Sequence, residues 1–238
     1  MGRIAAIIPA AGLGTRMGAD TPKQFLELDS MPLVIFALRR LAACAAITDF
    51  FLATRADDIV SLQDKVAKAC LGRPARVVHG GDTRQQSVAN ALAQVDPATE
   101  IVLVHDAVRP FVTAAQLDRV IAEAQKRGAV ILGIPAIDTV KEVKRASLPE
   151  DVALITSTIP RERVVLAQTP QAFSYVLLRD AFRRAQSDGI VASDESALVE
   201  RFGHEVFVVL GSERNLKITR PADMDLARFY LEQERRRT

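Results

Sequence analysis

The stretch RIAAIIPAAGLGTRMGADTPKQF, residues 3–25, joins an apolar run to a loop rich in small residues. The run RIAAIIP (3–9) is apolar at successive positions, which is typical of a strand buried on both faces of a sheet. Pro9, Gly12 and Gly14 end the run, so a buried strand entering a loop fits it better than the apolar region of a signal peptide. We therefore expect the loop at the carboxyl edge of a sheet, where ligands of open α/β folds bind.

Short apolar runs alternate with helical patterns along most of the remaining chain. Further strands are predicted at 49–55, 75–80, 100–105, 128–136 and 205–210. Helices are predicted at 33–44, 57–70, 85–94, 114–127, 174–187 and 194–202, and from about Pro221. Apolar strands separated by helices indicate a mostly parallel sheet covered on both faces. With right-handed crossovers, the pattern predicts a doubly wound, three-layer α/β/α sandwich.

Residues 137–163 depart from this pattern. IDTVKEVKRASLPEDVALITSTIPRER alternates apolar with charged residues and carries turn signals at 148–150. The alternation predicts an extended hairpin, which is marginally stable alone and so is expected to pack on something, for example a second subunit. We predict a single domain over residues 1–238, with this β-arm at about 137–163.

Composition restricts the classes of partner. The 238 residues are 49% hydrophobic and 25% charged, with a net charge of +2, which is ordinary for a globular protein. This charge is too small to predict a nucleic-acid partner, but it is compatible with small phosphorylated ligands. No apolar run approaches the length of a membrane span. Cys44 and Cys70 lie in helical patterns, so we expect two buried, reduced thiols in a cytoplasmic protein.

The loop after the first strand carries the strongest chemical signal. Its small residues, which would let backbone N–H groups approach a triphosphate, are Ala10, Ala11, Gly12 and Gly14. Arg16 and Lys23 add positive charge. The loop is not a Rossmann fingerprint, because Met17 stands where the third glycine belongs, and it lacks the GK[ST] of a P-loop.

A second signal is VHDAVRPF, residues 104–111. Asp106 follows a buried strand and so faces the same edge of the sheet as the loop. A carboxylate there can hold Mg²⁺ beside substrate phosphates. The alternative is a helix cap or a salt bridge to Arg109. His105 is expected to hold the loop rather than to transfer protons.

Other motifs are weaker when taken singly. In GGDTRQQSV (80–88), the turn Gly81–Asp82 and Ser87 could read the edge of a base, although capping by Asp82 or Thr83 explains the pattern equally well. QTPQAF (168–173), SDE (193–195) and NLKITRP (215–221) each join a loop to a strand or helix. Thr169 and Lys217 suit a hydroxyl or phosphate, but each could be an ordinary surface residue.

Together these motifs resemble the 2-C-methyl-D-erythritol 4-phosphate cytidylyltransferases. The resemblance runs from Ile4 to about Leu226 and rests on PAAGLGTRMG, PKQF, GGDTRQQSV, HDAVRPF, DTVK, QTPQAF and LKITRP in that order. It implies a Rossmann-like nucleotidyltransferase sandwich that acts as a homodimer through the β-arm. It also implies transfer of CMP from CTP to methylerythritol phosphate with a divalent cation, Mg²⁺ or another.

The resemblance also implies roles for individual residues. Those matching the CTP site are Pro9, Ala10, Ala11, Gly12, Gly14, Arg16 and Lys23, with Gly81, Asp82 and Ser87 at the cytosine and Asp106 at the metal. Those matching positions around methylerythritol phosphate are Arg109, Thr139, Thr169 and Lys217. Arg161 matches an arm arginine that reaches the partner's active site, with Arg163 as the alternative. The chain departs from the family pattern at Val108, at Ser193 and in the arm before QTPQ.

The implied reaction requires fixed cations more than proton transfer. The second pKa of a phosphate monoester is near ~6, so the attacking oxygen is already anionic at neutral pH. Positioning and charge stabilisation then carry the catalysis. We predict that Arg16 and Lys23 stabilise charge at the α-phosphate, and that Arg161 and Lys217 complete the catalytic set.

Three other functions can be weighed against this one. A pentitol-phosphate cytidylyltransferase, such as the ribitol 5-phosphate enzyme, is favoured by Val108 but disfavoured by RQQSV and by Lys141 after DTV. A nucleotide-binding regulator without turnover is disfavoured because Arg16, Lys23 and Asp106 are all retained. An NAD oxidoreductase is disfavoured by Met17, and by Arg55 where the second strand should end in an acid.

Overall fold

In a computed structural model of the chain, the structure describes residues 2–12, 22–144 and 152–236. Within these residues, one sheet has seven strands. In sequence order its strands are β1 (Arg3–Pro9), β4 (Asp49–Thr54), β5 (Ala75–His79), β6 (Thr99–Val104), β7 (Ala129–Pro135), β10 (Val165–Ser174) and β11 (Phe207–Leu210). Their spatial order is β11-β7-β10-β6-β1-β4-β5. Two separate hairpins are formed by β2 (Glu27–Leu28) with β3 (Met31–Pro32) and by β8 (Val140–Lys144) with β9 (Leu154–Ile159).

The first strand is central, as its uninterrupted apolar sequence predicts. β1 is parallel to β4 on one side and to β6 on the other. Ile4, Ala6 and Ile8 pack into one core, whereas Ala5 and Ile7 pack into the other. Successive side chains of a strand point to opposite faces, so a strand covered on both sides is apolar at each of its covered positions, which here are residues 4–8.

Helices cover both faces of the sheet. They are α1 (Leu33–Ala42), α2 (Ile59–Lys68), α3 (Arg84–Leu92), α4 (Ala114–Arg127), α5 (Tyr175–Ser187), α6 (Glu195–Arg201) and α7 (Pro221–Arg235). The first core contains side chains of α1, α2 and α4, and the second contains those of α3, α5 and α6. A third cluster joins α7 to the segment around Phe111. The predicted three-layer α/β/α sandwich is confirmed, and every predicted strand and helix is found with small shifts at its ends.

Strand β10 differs from expectation. It is antiparallel to both neighbours, β6 and β7. It also contains the whole of QTPQAF, a motif that was expected from the sequence to join a loop to a strand or helix. The pairing with β7 shifts register between Gln168 and Gln171, so Thr169 and Pro170 interrupt the ladder. A proline without a backbone N–H is tolerated at such an irregularity.

The predicted arm is an exposed antiparallel hairpin of β8 and β9. Leu154 and Ile155 are 62% and 58% exposed, so the hairpin presents apolar surface to solvent. The turn signals at 148–150 lie outside the described residues.

One expectation about the cysteines is wrong: Cys44 is buried, but Cys70 is exposed, because it lies just after α2 ends. Among the described residues, none of the helices combines the length and apolar character needed to cross a bilayer.

Candidate active site

A cleft opens at the carboxyl edge of the sheet. The predicted site residues that line it are Pro9, Ala10, Ala11, Gly12, Lys23, Gly81, Asp82, Ser87, Asp106 and Lys217. Gln24, Thr83 and Arg84 line it as well. The ends of β1 and β6 and the start of α3 meet here because parallel strands deliver their carboxyl ends to one edge. Gly14 and Arg16 lie outside the described residues.

Gln24, to which the sequence analysis gave no role, holds the backbone at the end of β1. Gln24 is buried, and its side-chain amide donates to the carbonyl of Ala10 at 2.6 Å. Lys23, the neighbouring residue, lies at the cleft wall. Gln24 thus ties together two segments that flank the glycine-containing loop. In the sequence, the feature that could have indicated this role is the position of Gln24 between Lys23 and Phe25 in the motif PKQF.

The turn before α3 is closed by Ser87. Its hydroxyl accepts from the N–H of Gly81 at 3.1 Å and donates to the carbonyl of Thr83 at 2.9 Å. Thr83, rather than Asp82, caps the helix, accepting from the N–H of Gln86 at 3.0 Å. Gly80 is required because a Cβ atom there would lie 2.7 Å from that of Ala11. The turn is therefore rigid and lies directly against the end of β1.

Asp106 lies on the cleft wall, surrounded by three cations. Its Oδ2 is 2.9 Å from Nζ of Lys217 and 3.5 Å from Nε of Arg109. Its Oδ1 is 3.2 Å from Nη2 of Arg84. Burial raises the pKa of the Asp106 carboxyl, but the charges of Arg84, Lys217 and Arg109 outweigh burial and hold that pKa well below its usual range. Asp106 is therefore a carboxylate at any physiological pH.

Arg84 and Glu195 extend this network, and sequence reasoning assigned a role to neither. Nη1 and Nη2 of Arg84 contact the two oxygens of Glu195 at 2.7 and 3.0 Å. Burial lowers the pKa of Arg84, but Glu195 and Asp106 outweigh it and raise that pKa above its usual value. Both residues lie in motifs noted from sequence, GGDTRQQSV and SDE. Nothing in the sequence relates two positions so far apart in the chain.

His105 and Thr169 hold the backbone behind Asp106. The Thr169 hydroxyl accepts from the N–H of Asp106 at 3.0 Å and lies 3.0 Å from Nδ1 of His105. Nε2 of His105 lies 3.0 Å from the carbonyl of Arg109. A carbonyl can only accept, so Nε2 carries the proton, and Nδ1 accepts from Thr169. Burial lowers the pKa of His105 to about 4, and the neutral ring holds the loop, as predicted.

Several predicted residues do not line the cleft. Arg109 is buried behind it and donates to the carbonyl of Asn215 at 2.7 Å. Thr169 is also buried. Thr139, Arg161 and Arg163 are exposed on or near the arm. Arg161 donates to the carbonyl of Ile137 at 2.8 Å, so it braces the base of the hairpin.

The donor set limits how a metal could bind. Within residues 2–12, 22–144 and 152–236, no three His, Cys, Asp or Glu side chains gather closely enough to hold an ion. Asp106 offers one carboxylate in the cleft. Mg²⁺ is commonly held by one or two carboxylates together with substrate phosphates. The residues present fit that mode and do not form an all-protein metal cage.

Comparison with known proteins gives a consistent result over the whole chain. Residues 4–233 match the family model "IspD: 2-C-methyl-D-erythritol 4-phosphate cytidylyltransferase". A protein of that name from Acidobacterium capsulatum is 50% identical, with 97% of this chain and 98% of the relative covered. Another from Solibacter usitatus is 44% identical, with 99% and 98% covered.

Solved structures agree with this match. The 4-diphosphocytidyl-2C-methyl-D-erythritol synthase of Anaerococcus prevotii superposes with a TM-score of 0.83 at 31% identity, covering 97% of this chain and 99% of that one. The 2-C-methyl-D-erythritol 4-phosphate cytidylyltransferase of Thermus thermophilus gives a TM-score of 0.76 at 34% identity, covering 96% and 98%. The resemblance predicted from sequence is confirmed at the level of family and fold.

The neutral His105 predicts how stability depends on pH. Its pKa falls from 6.5 to about 4 on folding, so the unfolded chain takes up the proton first. The contribution of the neutral His105 to the free energy of unfolding is complete above the pKa of the unfolded chain. It is lost as the pH falls from there toward the pKa of the folded protein. Between about pH 7.5 and pH 5, the free energy of unfolding should fall by about 2 kcal/mol.

Denaturant unfolding of the ligand-free protein at both pH values measures this change. His105→Gln should lose most of it, whereas His204→Gln, at an exposed histidine, should keep it. Equal pH dependence in the two variants would contradict the assignment to His105.

Proposed function

This chain belongs to the 2-C-methyl-D-erythritol 4-phosphate cytidylyltransferase family, and we propose that the cleft at the carboxyl edge of its sheet is the active site. The enzyme transfers CMP from CTP to 2-C-methyl-D-erythritol 4-phosphate. The products are 4-diphosphocytidyl-2-C-methyl-D-erythritol, an isoprenoid precursor, and pyrophosphate. The observation that supports this site is the meeting of the β1 loop, the Gly81–Asp82 turn, Asp106 and Lys217 in one cleft.

The chemistry is an in-line displacement at phosphorus. An oxygen of the acceptor phosphate forms a bond to the α-phosphorus of CTP, and the bond from that phosphorus to the bridging oxygen of pyrophosphate breaks. The nucleophile is anionic at neutral pH, so the protein need not remove a proton. Its tasks are to bring two polyanions together and to stabilise charge on the α-phosphate.

The β1 side of the cleft suits the triphosphate. We assign the triphosphate to the N–H groups of residues 10–12, which follow Pro9, and to Lys23. Gly14 and Arg16, which lie outside the described residues, are assigned to the triphosphate from the sequence alone. Small residues let the backbone approach phosphate oxygens closely. The buried Gln24, whose side chain donates to the carbonyl of Ala10, would keep Lys23 at a fixed position relative to the end of β1.

The opposite wall suits cytosine. Gly81, Asp82 and Ser87 belong to one turn, which Ser87 closes through its hydroxyl. Backbone groups and a carboxylate fixed in this way can match the donor and acceptor pattern of a base edge. Since the Ser87 hydroxyl already bonds within the turn, we assign it to shaping the turn, with Gly81 and Asp82 facing the base.

The acceptor phosphate is assigned to the Asp106 side. Lys217 lines the cleft there, and its ammonium group is a point charge suited to a phosphate oxygen. Arg109 and Thr169 would act through Asp106, whose carboxylate and N–H they respectively contact. Thr139 and Arg161 are assigned to an acceptor site on the other subunit of a dimer.

Asp106 is also the residue we assign to a divalent cation, Mg²⁺ or another. When bound, such an ion would neutralise phosphate charge beside the carboxylate. Lys217 and Arg84 already contact the two carboxylate oxygens, so these side chains would have to share Asp106 with the ion. The remaining ligands would come from the triphosphate and water.

Removing the charge at Asp106 tests the metal assignment. In Asp106→Asn, the Mg²⁺ concentration for half-maximal activity should rise roughly tenfold or more, as for other losses at metal sites. The measurement is an Mg²⁺ titration of pyrophosphate release at saturating CTP. Asp225→Asn, at an exposed aspartate of α7, is the control. An Mg²⁺ curve unchanged in Asp106→Asn would show that the ion is held elsewhere.

The acceptor can be tested directly. Purified protein given CTP should release pyrophosphate with 2-C-methyl-D-erythritol 4-phosphate, and should do so far more slowly with ribitol 5-phosphate. Phosphorus NMR of the mixture should show the new diphosphate linkage together with pyrophosphate. Equal rates with both acceptors would leave the cytidylyltransferase reaction standing but contradict the acceptor assignment. Turnover with neither acceptor would favour a binding protein without catalysis.

The arm supports a homodimer. Leu154 and Ile155 are largely exposed on the hairpin, and a two-stranded hairpin is marginal unless it docks. A twofold axis would let each arm pack on the other subunit in a reciprocal interface. Arg161, exposed at the base of the hairpin, would then lend a cation to the neighbouring cleft, with Arg163 as the alternative.

Mixing subunits tests this arrangement. Lys23→Ala and Arg161→Ala should each lower turnover by roughly 10²-fold, as for other losses of a charge stabiliser. If the arm works in trans, a mixed dimer has one site with both defects and one intact site. Activity should then return to roughly half that of the wild-type dimer per mixed dimer. Verified mixed dimers that stay inactive would refute the shared site, and Glu162→Ala controls for disturbance of the arm.

We also assign the enzyme to the cytoplasm. CTP and sugar-alcohol phosphates are charged metabolites of that compartment, and reduced cysteines such as the exposed Cys70 are usual there.

A further inference from the structure

A single guanidinium lies between two carboxylates at the wall of the cleft. Arg84 contacts both oxygens of Glu195, at 2.7 and 3.0 Å. Its contacts with Oδ1 of Asp106 are longer, at 3.2 Å from Nη2 and 3.3 Å from Nε. Short, bidentate contacts are the stronger ones. Glu195 is therefore the main partner of Arg84, and Asp106 is the weaker one.

Stability alone does not account for Glu195. Its side chain is 1% exposed, and removing a carboxylate from water costs much of what its ion pair returns. Apolar residues of similar volume often fill such positions with equal or greater stability. Arg84, by contrast, is 30% exposed and lines the cleft. Burial raises the pKa of the Glu195 carboxyl, and the charge and hydrogen bonds of Arg84 oppose that rise. The buried carboxyl is thus arranged around a guanidinium that lines the cleft.

Glu195 is held by the loop that leads into α6. Gln171 on β10 donates to Asp194 at 2.8 Å and accepts from the N–H of Ser196 at 3.0 Å. Gln85, next to Arg84, donates to the carbonyl of Ile190 at 3.0 Å. These contacts fix Glu195 on both sides and tie its loop to the helix that carries Arg84. The carboxylate is therefore a fixed anchor for the guanidinium.

We propose that Glu195 is a positioning residue for the transfer reaction, holding Arg84 so that Oδ1 of Asp106 stays only loosely contacted and available to the acceptor side of the cleft. This inference rests on the function proposed for the cleft. Without the Glu195 charge, Arg84 would turn its fork onto Asp106. Bidentate pairing there would occupy both oxygens, compete with Lys217 and leave neither oxygen free to accept from a hydroxyl of the acceptor.

Glu195→Gln keeps the shape of the side chain and removes its charge. We expect kcat/KM for methylerythritol phosphate to fall roughly 10- to 100-fold, the range for displacing a reactive group by about 1 Å. KM for CTP should change by less than about threefold, because the turn that carries Gly81 and Asp82 is held by Ser87 and Thr83 and not by the Arg84 side chain. Glu195→Asp, which keeps the charge, should retain more activity than Glu195→Gln. Glu200→Gln, at an exposed glutamate of the same helix, should behave as wild type.

A double-mutant cycle shows whether Glu195 acts through Arg84. The Arg84→Gln, Glu195→Gln double variant should be no slower than Arg84→Gln alone, because Glu195 then has no guanidinium to hold. This comparison also covers the case in which Glu195→Gln fails to fold, since the double variant removes both charges. Thermal unfolding of every variant shows that the kinetics report folded protein.

The outcomes separate this inference from the function it rests on. Wild-type protein that does not join CTP to methylerythritol phosphate contradicts the proposed function itself. An active wild type with Glu195→Gln kinetics like those of Glu200→Gln overturns only the role of Glu195. Losses in Arg84→Gln and Glu195→Gln that multiply in the double variant also overturn it, because residues acting as one unit are not additive.

Discussion

The site depends on one buried carboxylate compensated by surrounding cations. Asp106 is contacted by Lys217, Arg109 and Arg84 within 3.5 Å. An isolated carboxylate would be costly at this depth, and these cations in turn require an anion to be held together. The buried pair of Asp106 and Arg109 is therefore stabilised by its own contact and by the half-buried Lys217 and Arg84. The cluster gives the cleft a surplus of positive charge, which a reaction between two polyanions requires.

The topology brings these charges together. Asp106 follows β6, Arg84 begins α3, and Lys217 lies in the segment before α7. The antiparallel β10 lies beside β6 and supplies Thr169, whose hydroxyl accepts from the N–H of Asp106. A fully parallel sheet would place a different strand end there. Among the described strands of this sheet, the reversed β10 thus allows a side chain from within a strand, rather than from a loop, to fix the edge that carries the candidate site.

Much of the fold was predictable because its signals are local. The apolar residues of β1 reveal a strand covered on both faces, and alternation revealed the hairpin of β8 and β9. QTPQAF was expected to join a loop to a strand or helix, but it lies within β10. Thr169 and Pro170 interrupt the hydrogen-bond ladder of that strand, which continues beyond them. Cys70 was expected to be buried because its neighbours are apolar, yet it follows the end of α2 and is exposed. The pattern of apolar residues near Cys70 does not indicate where α2 ends, and so it does not predict that Cys70 is exposed.

The sequence by itself determined the class of fold and the family, and it predicted a site at the carboxyl edge of the sheet, because strand periodicity and ordered motifs are properties of short segments. It also predicted Lys23, Asp82, Asp106 and Lys217 for the candidate site, and these four residues line the cleft. Only the tertiary structure decided that Gln24 holds Ala10 and that Glu195 holds Arg84. It also placed Arg109 and Thr169 behind the cleft rather than on its wall. Such contacts depend on how distant segments cross at the sheet edge, and the geometry of that crossing is not encoded in any one of them.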